Sequence, residues 1–312
     1  MTPAPFFEEI AFGPKGGAAH WVTTSDGLRI RVGHWTPNAA KGTVLLFPGR
    51  TEYIEKYGDS ASQFADAGYA TVAIDWRGQG LADRLLDNRA LGHVGEFSDY
   101  QHDVDAALAH VRSLGLPEPY FLAAHSMGGC IGLRALLNGL PVQAAAFSAP
   151  MWGISIKPAI LRPFSWVLST VATWVGLGAK MAPMQEEETY VLREEFSANT
   201  LTRDQIMWDR LGQQMRAQPD LALGGPTLRW LNRSLREMRD LSKMPAPAVP
   251  TVAFLGTSED IVDPHRIHTR MADWPNGTLH MIDKGEHEVM LEIPASRTLV
   301  FKTMIAHFDA HC

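Results

Sequence analysis

The stretch that decides the fold is Tyr120-Phe-Leu-Ala-Ala-His125-Ser126-Met127-Gly128-Gly129. Its first half is an apolar run typical of a buried strand, and the helical pattern Met127–Asn138 follows at once. A serine at such a junction sits on a sharp turn that exposes its hydroxyl above the sheet. Small residues must flank it, and Gly128 meets this need, while Ala124 stands where the usual pattern has glycine. We predict that Ser126 is a nucleophile, with helix capping as the alternative role of its hydroxyl.

A serine nucleophile needs a base, and the base needs a carboxylate that orients it. At a turn of this kind the chain order is serine, acid, histidine. His287 follows the last predicted strand and is the predicted base. The loop after Val249–Leu255 supplies the acid, which we predict to be Asp260; the adjacent Glu259 takes that role if the loop is aligned one residue differently. Asp263 precedes a proline and a helical pattern, which indicates a helix N-cap.

Acyl transfer also requires N–H donors for the developing oxyanion. We predict the backbone amides of Met127, next to the nucleophile, and of Arg50, in the loop after Thr43–Phe47. Gly49 allows the tight turn of that loop. His125 is expected to point away from the serine hydroxyl and to be a packing residue or part of the site wall.

Apolar runs alternate with helical patterns along most of the chain. The predicted strands are Thr43–Phe47, Ala70–Asp75, Tyr120–Ala124, Ala144–Ser148, Val249–Leu255 and Thr278–Ile282. The predicted helices are Ile54–Ala67, Asp99–Leu114, Met127–Asn138, His265–Asp273 and Ser296–His311. Near-continuous apolarity indicates strands that are covered on both faces. A hairpin, Ala19–Val22 and Leu28–Trp35, precedes them. The predicted fold class is α/β, a mostly parallel sheet flanked by helices.

The alternation stops between residues 151 and 247. That region carries five tryptophans and helix-like charge patterning, without a convincing strand. We predict a catalytic domain of residues 1–150 and 248–312, with an inserted helical cap at 151–247. The uncharged stretch Pro163–Ala179 is shorter than the ~20 residues that span a bilayer, and a buried or pocket-lining helix is expected there.

Composition excludes several classes of protein. A net charge of −6 and scattered basic residues give no electrostatic basis for nucleic-acid binding. Two cysteines provide no disulfide framework, and Cys130 is expected to be buried in a helix. The histidines lack metal-ligand spacing, so neither a metal nor another cofactor is predicted. The first residues do not form a secretory signal, and the expected location is cytoplasmic, with peripheral contact of the cap with the inner membrane left open. Oligomeric state is not predicted.

The chain resembles α/β-hydrolases of the monoacylglycerol lipase and lysophospholipase L2-like group, the serine aminopeptidase S33-type hydrolases. The motifs that carry the resemblance are Pro48–Glu52 with Tyr57, Asp75–Gly80, Gly92–Gly95 with Phe97–Tyr100, and His125–Gly129. The resemblance covers nearly the whole chain. It implies the α/β-hydrolase fold with a cap, and a structural role for the turn Asp75–Gly80.

By the same resemblance the nucleophile is Ser126, the acid Asp260 and the base His287, with oxyanion donors at Arg50 and Met127. Pro48 departs from the group, many of whose members have histidine at that position. The departure changes the wall of the oxyanion loop without removing a catalytic group.

The favoured function is hydrolysis of a carboxylic ester through an acyl-enzyme, by a serine esterase of the lysophospholipase or monoacylglycerol lipase type. Its partner is then a small-molecule ester, with an acyl lipid as one option. Two alternatives stay open: a peptidase or amidase that uses the same triad, and a non-catalytic small-molecule binding protein on a hydrolase scaffold. The tryptophans of the predicted cap either line an acyl pocket or form the core of the cap.

Overall fold

The computed structural model describes residues 1–38, 40–158 and 160–312. Over these residues the chain forms one nine-stranded sheet with the spatial order β1-β2-β3-β5-β4-β6-β7-β8-β9. The strands are β1 Thr2–Ala4, β2 Ala18–Thr23, β3 Arg29–Trp35, β4 Thr43–Phe47, β5 Ala70–Asp75, β6 Tyr120–His125, β7 Ala144–Ser148, β8 Thr251–Gly256 and β9 Gly277–Ile282. Every predicted strand is present within two residues at either end, and of the strands in the described residues only the three-residue β1 was not predicted.

The sheet has an antiparallel part and a parallel part. The pairs β1–β2, β2–β3 and β3–β5 are antiparallel, whereas all pairs from β5 to β9 are parallel. A tight turn joins β2 to β3, and Gly27 has φ +86° in it, a conformation that glycine adopts without steric cost. The predicted hairpin and the mostly parallel sheet are both confirmed.

Helices cover both faces of the sheet. Over the described residues the α-helices are α1 Glu8–Ala11, α2 Gly58–Asp66, α3 Tyr100–Ser113, α4 Met127–Leu137, α5 Leu161–Trp174, α6 Tyr190–Arg193, α7 Gln205–Ala217, α8 Leu228–Leu241, α9 Pro264–Ala272 and α10 Pro294–Asp309. Helix α9 begins as predicted, because the Asp263 side chain accepts a hydrogen bond from the His265 amide at 3.1 Å and proline occupies the first turn.

The two faces of each strand contribute to different parts of the core. In β4, Leu45 and Phe47 belong to a buried cluster with α3 and α4, while Val44 and Leu46 belong to a cluster with α2 and α10. Each fully buried side chain of this size contributes about 1.5–3 kcal/mol. Cys130 is buried in α4, as expected.

Helices α5 to α8 lie between β7 and β8, in the region of the predicted cap. Among the described residues from 151 to 247, no residue belongs to a strand of the sheet. Helix α5 packs against α8. The expectation that α5 is buried or lines a pocket is wrong, since Phe164 is 59% exposed and Trp174 is 87% exposed. A helix needs only one apolar stripe to pack on its neighbour, and α5 has a second stripe that faces solvent.

The fold brings four loops to one edge of the sheet. The loops that follow β4, β6, β8 and β9 all leave from the carboxyl ends of parallel strands, which lie at the same edge. These are the loops that carry the predicted site residues.

Candidate active site

Ser126 occupies a strained turn between β6 and α4. Its φ of 48° and ψ of −116° are rarely adopted by a residue with a side chain. A Cβ atom at Gly128 would lie 2.0 Å from the Phe47 carbonyl oxygen, so only glycine fits there. The serine hydroxyl does not cap α4, which excludes the alternative role for it. The turn instead holds the hydroxyl at the edge of the sheet.

His287 connects Ser126 to a carboxylate. Its Nε2 atom lies 3.0 Å from Ser126 Oγ, and its Nδ1 atom lies 2.8 Å from Glu259 Oε2. Because an ionised carboxylate only accepts hydrogen bonds, Nδ1 carries a proton and donates a hydrogen bond to Glu259. The Nε2 lone pair of the neutral ring is then free to accept the serine proton. This geometry is the one that a serine nucleophile, a histidine base and an orienting acid require.

The carboxylate that contacts His287 is that of Glu259, not that of the predicted Asp260. The Glu259 side chain is fully buried, and its Oε1 atom accepts hydrogen bonds from the amides of Ile261 and Val262 at 2.7 and 3.0 Å. These bonds fix the loop so that residue 259 faces the histidine. The Asp260 side chain points outward, is 46% exposed and pairs with Lys157.

His287 and Glu259 shift each other's pKa. Burial alone would lower the pKa of His287, but the carboxylates of Glu259, Glu288 and Glu52 together outweigh it and raise the pKa above its ordinary value. Burial alone would raise the pKa of Glu259, but the charge of His287 and its hydrogen bond outweigh it and lower that pKa. The geometry therefore favours an ionised Glu259 and a base that holds a proton readily.

The loop after β4 is held from several sides. Gly49 donates its N–H to the Glu52 carboxylate, and its carbonyl accepts a hydrogen bond from Gln79 Nε2 at 3.1 Å. The Trp76 indole donates to the Pro48 carbonyl at 2.9 Å. Trp76 and Gln79 belong to the turn after β5, so the structural role expected for that turn includes support of this loop.

The two predicted oxyanion donors flank the serine on separate loops. Arg50 follows the anchored Gly49, and Met127 follows Ser126 at the start of α4. Within the part of the chain that the structure describes, neither backbone amide donates to a protein acceptor. The N–H of Met127 is among those that the first turn of any helix leaves unpaired. Both amides are thus available to a ligand.

A cleft of about 300 Å³ opens onto Ser126 and His287. Its lining comes from the site loops and from residues between 185 and 225, with an apolar part formed by Val191, Leu201, Leu211, Met215 and Leu223. The amides of His287 and Glu288 also donate to the carbonyls of Thr200 and Leu201, at 3.3 and 2.7 Å. Residues of the helical region therefore contact the histidine loop directly.

His125 does not bond to the serine hydroxyl, as expected. Its ring is fully buried, and Nδ1 lies 3.1 Å from both the carbonyl and the hydroxyl oxygen of Ser148. Its Nε2 faces the carboxylates of Glu52 and Glu288, neither of which was predicted as a site residue. The sequence signal that could have identified them is their position: Glu288 follows His287 directly, and Glu52 lies in the loop that carries Arg50.

The same side chains have metal-ligand spacing. Over the described residues, ligand atoms of Glu52, His125 and Glu288 lie within 4.8 Å of one another. The Lys56 ammonium bonds to both carboxylates and already supplies the cation that such a cluster attracts. The donor set therefore fits a lysine better than a metal ion.

The fold and the site together define a serine hydrolase of the α/β-hydrolase class. The model of one family, described as serine aminopeptidase S33, matches residues 38–294. This match covers most of the sequence, and the chain belongs to that family.

Individual relatives are similar to this chain over most of its length. Lysophospholipase L2 of Escherichia coli is 28% identical over 300 residues, which cover 93% of this chain and 86% of the relative. Among solved structures, a soluble variant of monoglyceride lipase from Saccharomyces cerevisiae has a TM-score of 0.72 at 21% identity, covering 93% of this chain and 94% of its own. A thermostable carboxyl esterase from Bacillus coagulans has a TM-score of 0.73 at 15% identity, covering 96% and 99%. These structures establish the fold.

Proposed function

We propose that this chain hydrolyses carboxylic esters of single-chain acyl lipids through an acyl-enzyme on Ser126. The observation that carries the proposal is the continuous hydrogen-bond chain from Ser126 through His287 to Glu259, which opens onto a cleft with an apolar wall. Membership of a serine hydrolase family and the names of the relatives support it.

In the first half of the reaction, His287 Nε2 accepts the Ser126 proton while Oγ attacks the ester carbonyl carbon. The carbonyl oxygen becomes an oxyanion and receives N–H groups from Arg50 and Met127. The tetrahedral intermediate collapses, and the imidazolium gives its proton to the departing alcohol. Glu259 stays ionised and stabilises the imidazolium.

In the second half, water replaces the alcohol. His287 takes one proton from the water as its oxygen attacks the acyl carbon, and then returns that proton to Ser126 Oγ as the carboxylic acid leaves. Both halves use the same base and the same donors, so no further group is needed for turnover.

The residues around the cleft favour an acyl chain. We propose that residues 151–247 act as a cap over the site, because their side chains form the apolar wall of the cleft and their backbone holds the histidine loop. A volume of about 300 Å³ lies at the lower end of the range for small-molecule sites. One acyl chain fits such a space better than two.

Matched substrates test this function. We expect turnover of a lysophosphatidylcholine and a monoacylglycerol of the same acyl length, slower turnover of the diacyl phospholipid, and none with Ser126→Ala. The corresponding acyl amide should be hydrolysed far more slowly than the ester. Faster hydrolysis of the amide would establish the peptidase or amidase alternative, and stoichiometric binding without turnover would establish a binding protein.

We also infer that the cap contacts a lipid surface through α5. An apolar stripe faces solvent at Phe164, Val167, Val171 and Trp174, spaced as one face of a helix. Charged residues appear only outside the stretch Pro163–Ala179, with Arg162 before it and Lys180 after it. We infer a peripheral contact, in which this stripe lies at the lipid surface. No helix of the described residues is long and apolar enough to cross a membrane.

A further inference from the structure

A second set of ionisable side chains lies beside the candidate triad, and Glu52, Lys56 and Glu288 among them also line the cleft that opens onto Ser126 and His287. We call Glu52, Lys56, His125 and Glu288 the buried ionic cluster; none exposes more than 7% of its surface. Lys56 Nζ lies 2.5 Å from Glu288 Oε1 and also bonds to Glu52. His125 Nε2 lies 3.3 Å from Glu288 Oε1 and 3.6 Å from Glu52 Oε1. The mechanism above uses none of these side chains.

Each acidic or imidazole member of the cluster adjoins a different part of the catalytic machinery. Glu52 accepts the N–H of Gly49, the residue before the oxyanion donor Arg50. His125 and Glu288 are the immediate chain neighbours of the nucleophile and the base. Lys56 joins Glu52 to Glu288 and so links the oxyanion loop to the histidine loop. The cluster is the point at which three separate loops are tied together.

Stability alone does not explain such a cluster. Desolvation of buried charges costs several kcal/mol per ion, and apolar replacements of similar size are often neutral or stabilising. Burial by itself would lower the pKa of Lys56, but the charges of Glu288 and Glu52 outweigh it and raise the pKa, so the lysine stays charged. Burial would raise the pKa of Glu288, but His125 and Lys56 outweigh it and lower that pKa.

We propose that the buried ionic cluster positions the oxyanion loop, the nucleophile and the base against one another, with Lys56 as the link between Glu52 and Glu288. These are positioning residues, because the oxyanion and the serine proton contact other groups. The inference rests on the proposed function and deepens it. It follows that loss of the link lowers kcat more than it changes KM, since misplacement by about 1 Å costs on the order of 100-fold in rate.

The charges of the cluster also affect the pKa of His287. The carboxylates that act on His287 are Glu259, Glu288 and Glu52, and the centroid of the His125 ring lies 4.9 Å from that of the His287 ring. Lys56 contacts the carboxylates of Glu52 and Glu288. Glu288 helps to raise the pKa of His287. Removal of its charge by Glu288→Gln therefore lowers that pKa, and the acid limb of the kcat/KM profile moves to lower pH because His287 must be neutral to act as a base.

The experiment measures kcat and KM of four variants, with p-nitrophenyl butyrate as a soluble ester substrate. We expect Lys56→Met and Glu288→Gln to lower kcat roughly 10- to 100-fold with little change in KM. Lys56→Arg, which keeps the charge, should restore most of kcat. Glu288→Gln should also move the acid limb to lower pH. Asp103→Asn is the control, since Asp103 is fully buried and paired with Arg77 elsewhere; it should lower Tm without moving the acid limb.

Two results would overturn the positioning role. One is wild-type kcat in folded Lys56→Met. The other is an equal loss in Lys56→Met and Lys56→Arg that follows Tm, with no shift of the acid limb in Glu288→Gln. Labelling of the wild type by a fluorophosphonate separates this test from the test of the proposed function. If the wild type is labelled and the variants keep their activity, only the positioning role of the cluster is rejected. If the wild type is not labelled, the proposed function is rejected.

Discussion

At the scale of single residues, the orientation of His287 depends on what its Nδ1 atom bonds to. The contact with Glu259 fixes both the tautomer and the ring plane, and Glu259 is in turn fixed by the amides of Ile261 and Val262. An amide in place of this carboxylate would keep the shape of the side chain and lose the charge that stabilises the imidazolium. Asp260, one residue further on, has no such contact and faces solvent with Lys157.

Glu259→Gln should therefore lower kcat on the order of 10³- to 10⁴-fold, as loss of the orienting carboxylate does in other triads. Asp260→Asn is the matched control and should keep kcat within about 3-fold of wild type, since the Asp260 side chain is half-exposed and pairs with Lys157 instead of His287. Steady-state kinetics with a p-nitrophenyl ester compare the two. A larger loss in Asp260→Asn than in Glu259→Gln would restore the original prediction of Asp260.

The sequence is informative about some of these residues and not others. Ser126 and His287 were predicted because strand-to-helix context and chain order point to them, and the structure brings them within 3.0 Å. The choice between Glu259 and Asp260 depends on which way a short loop turns after β8. Two neighbouring carboxylates give the same sequence signal, and only the backbone path separates them.

At the scale of secondary-structure elements, α5 differs most from its expected environment. The uncharged stretch Pro163–Ala179 was expected to form a buried or pocket-lining helix, yet its pattern allows two apolar stripes, one against α8 and one toward solvent. Hydrophobicity predicts that a helix avoids water; it does not say whether protein or lipid covers it. The strands, by contrast, were predicted closely because burial on both faces leaves a strong apolar signal.

If α5 contacts a lipid surface, the double variant Val167→Ser and Trp174→Ser should bind vesicles of phosphatidylethanolamine and phosphatidylglycerol at least roughly tenfold more weakly, because two apolar side chains no longer leave water. Cosedimentation measures the bound fraction. Ile206→Ser is the control, since Ile206 is 64% exposed on α7 but lies outside the stripe. Equal binding of the wild type and the double variant would contradict the contact.

At the scale of the whole molecule, the sheet assembles the site by bringing together the ends of β4, β6, β8 and β9. The fold class and family were predictable because the motifs and the β/α alternation agree. The buried ionic cluster was not, since its members are spread between residues 52 and 288 and meet only in three dimensions. Sequence patterns report local periodicity, whereas a cluster of this kind depends on long-range packing.

The most direct test of the central claim is mass spectrometry of the protein after reaction with a fluorophosphonate. Wild type should gain one adduct, which maps to the peptide that contains Ser126, and Ser126→Ala should gain none at this site. Ester turnover should fall in parallel by about 10⁶-fold in that variant. An adduct on another residue, or an unlabelled wild type beside a control hydrolase that reacts, would contradict the assignment of Ser126 as an activated nucleophile.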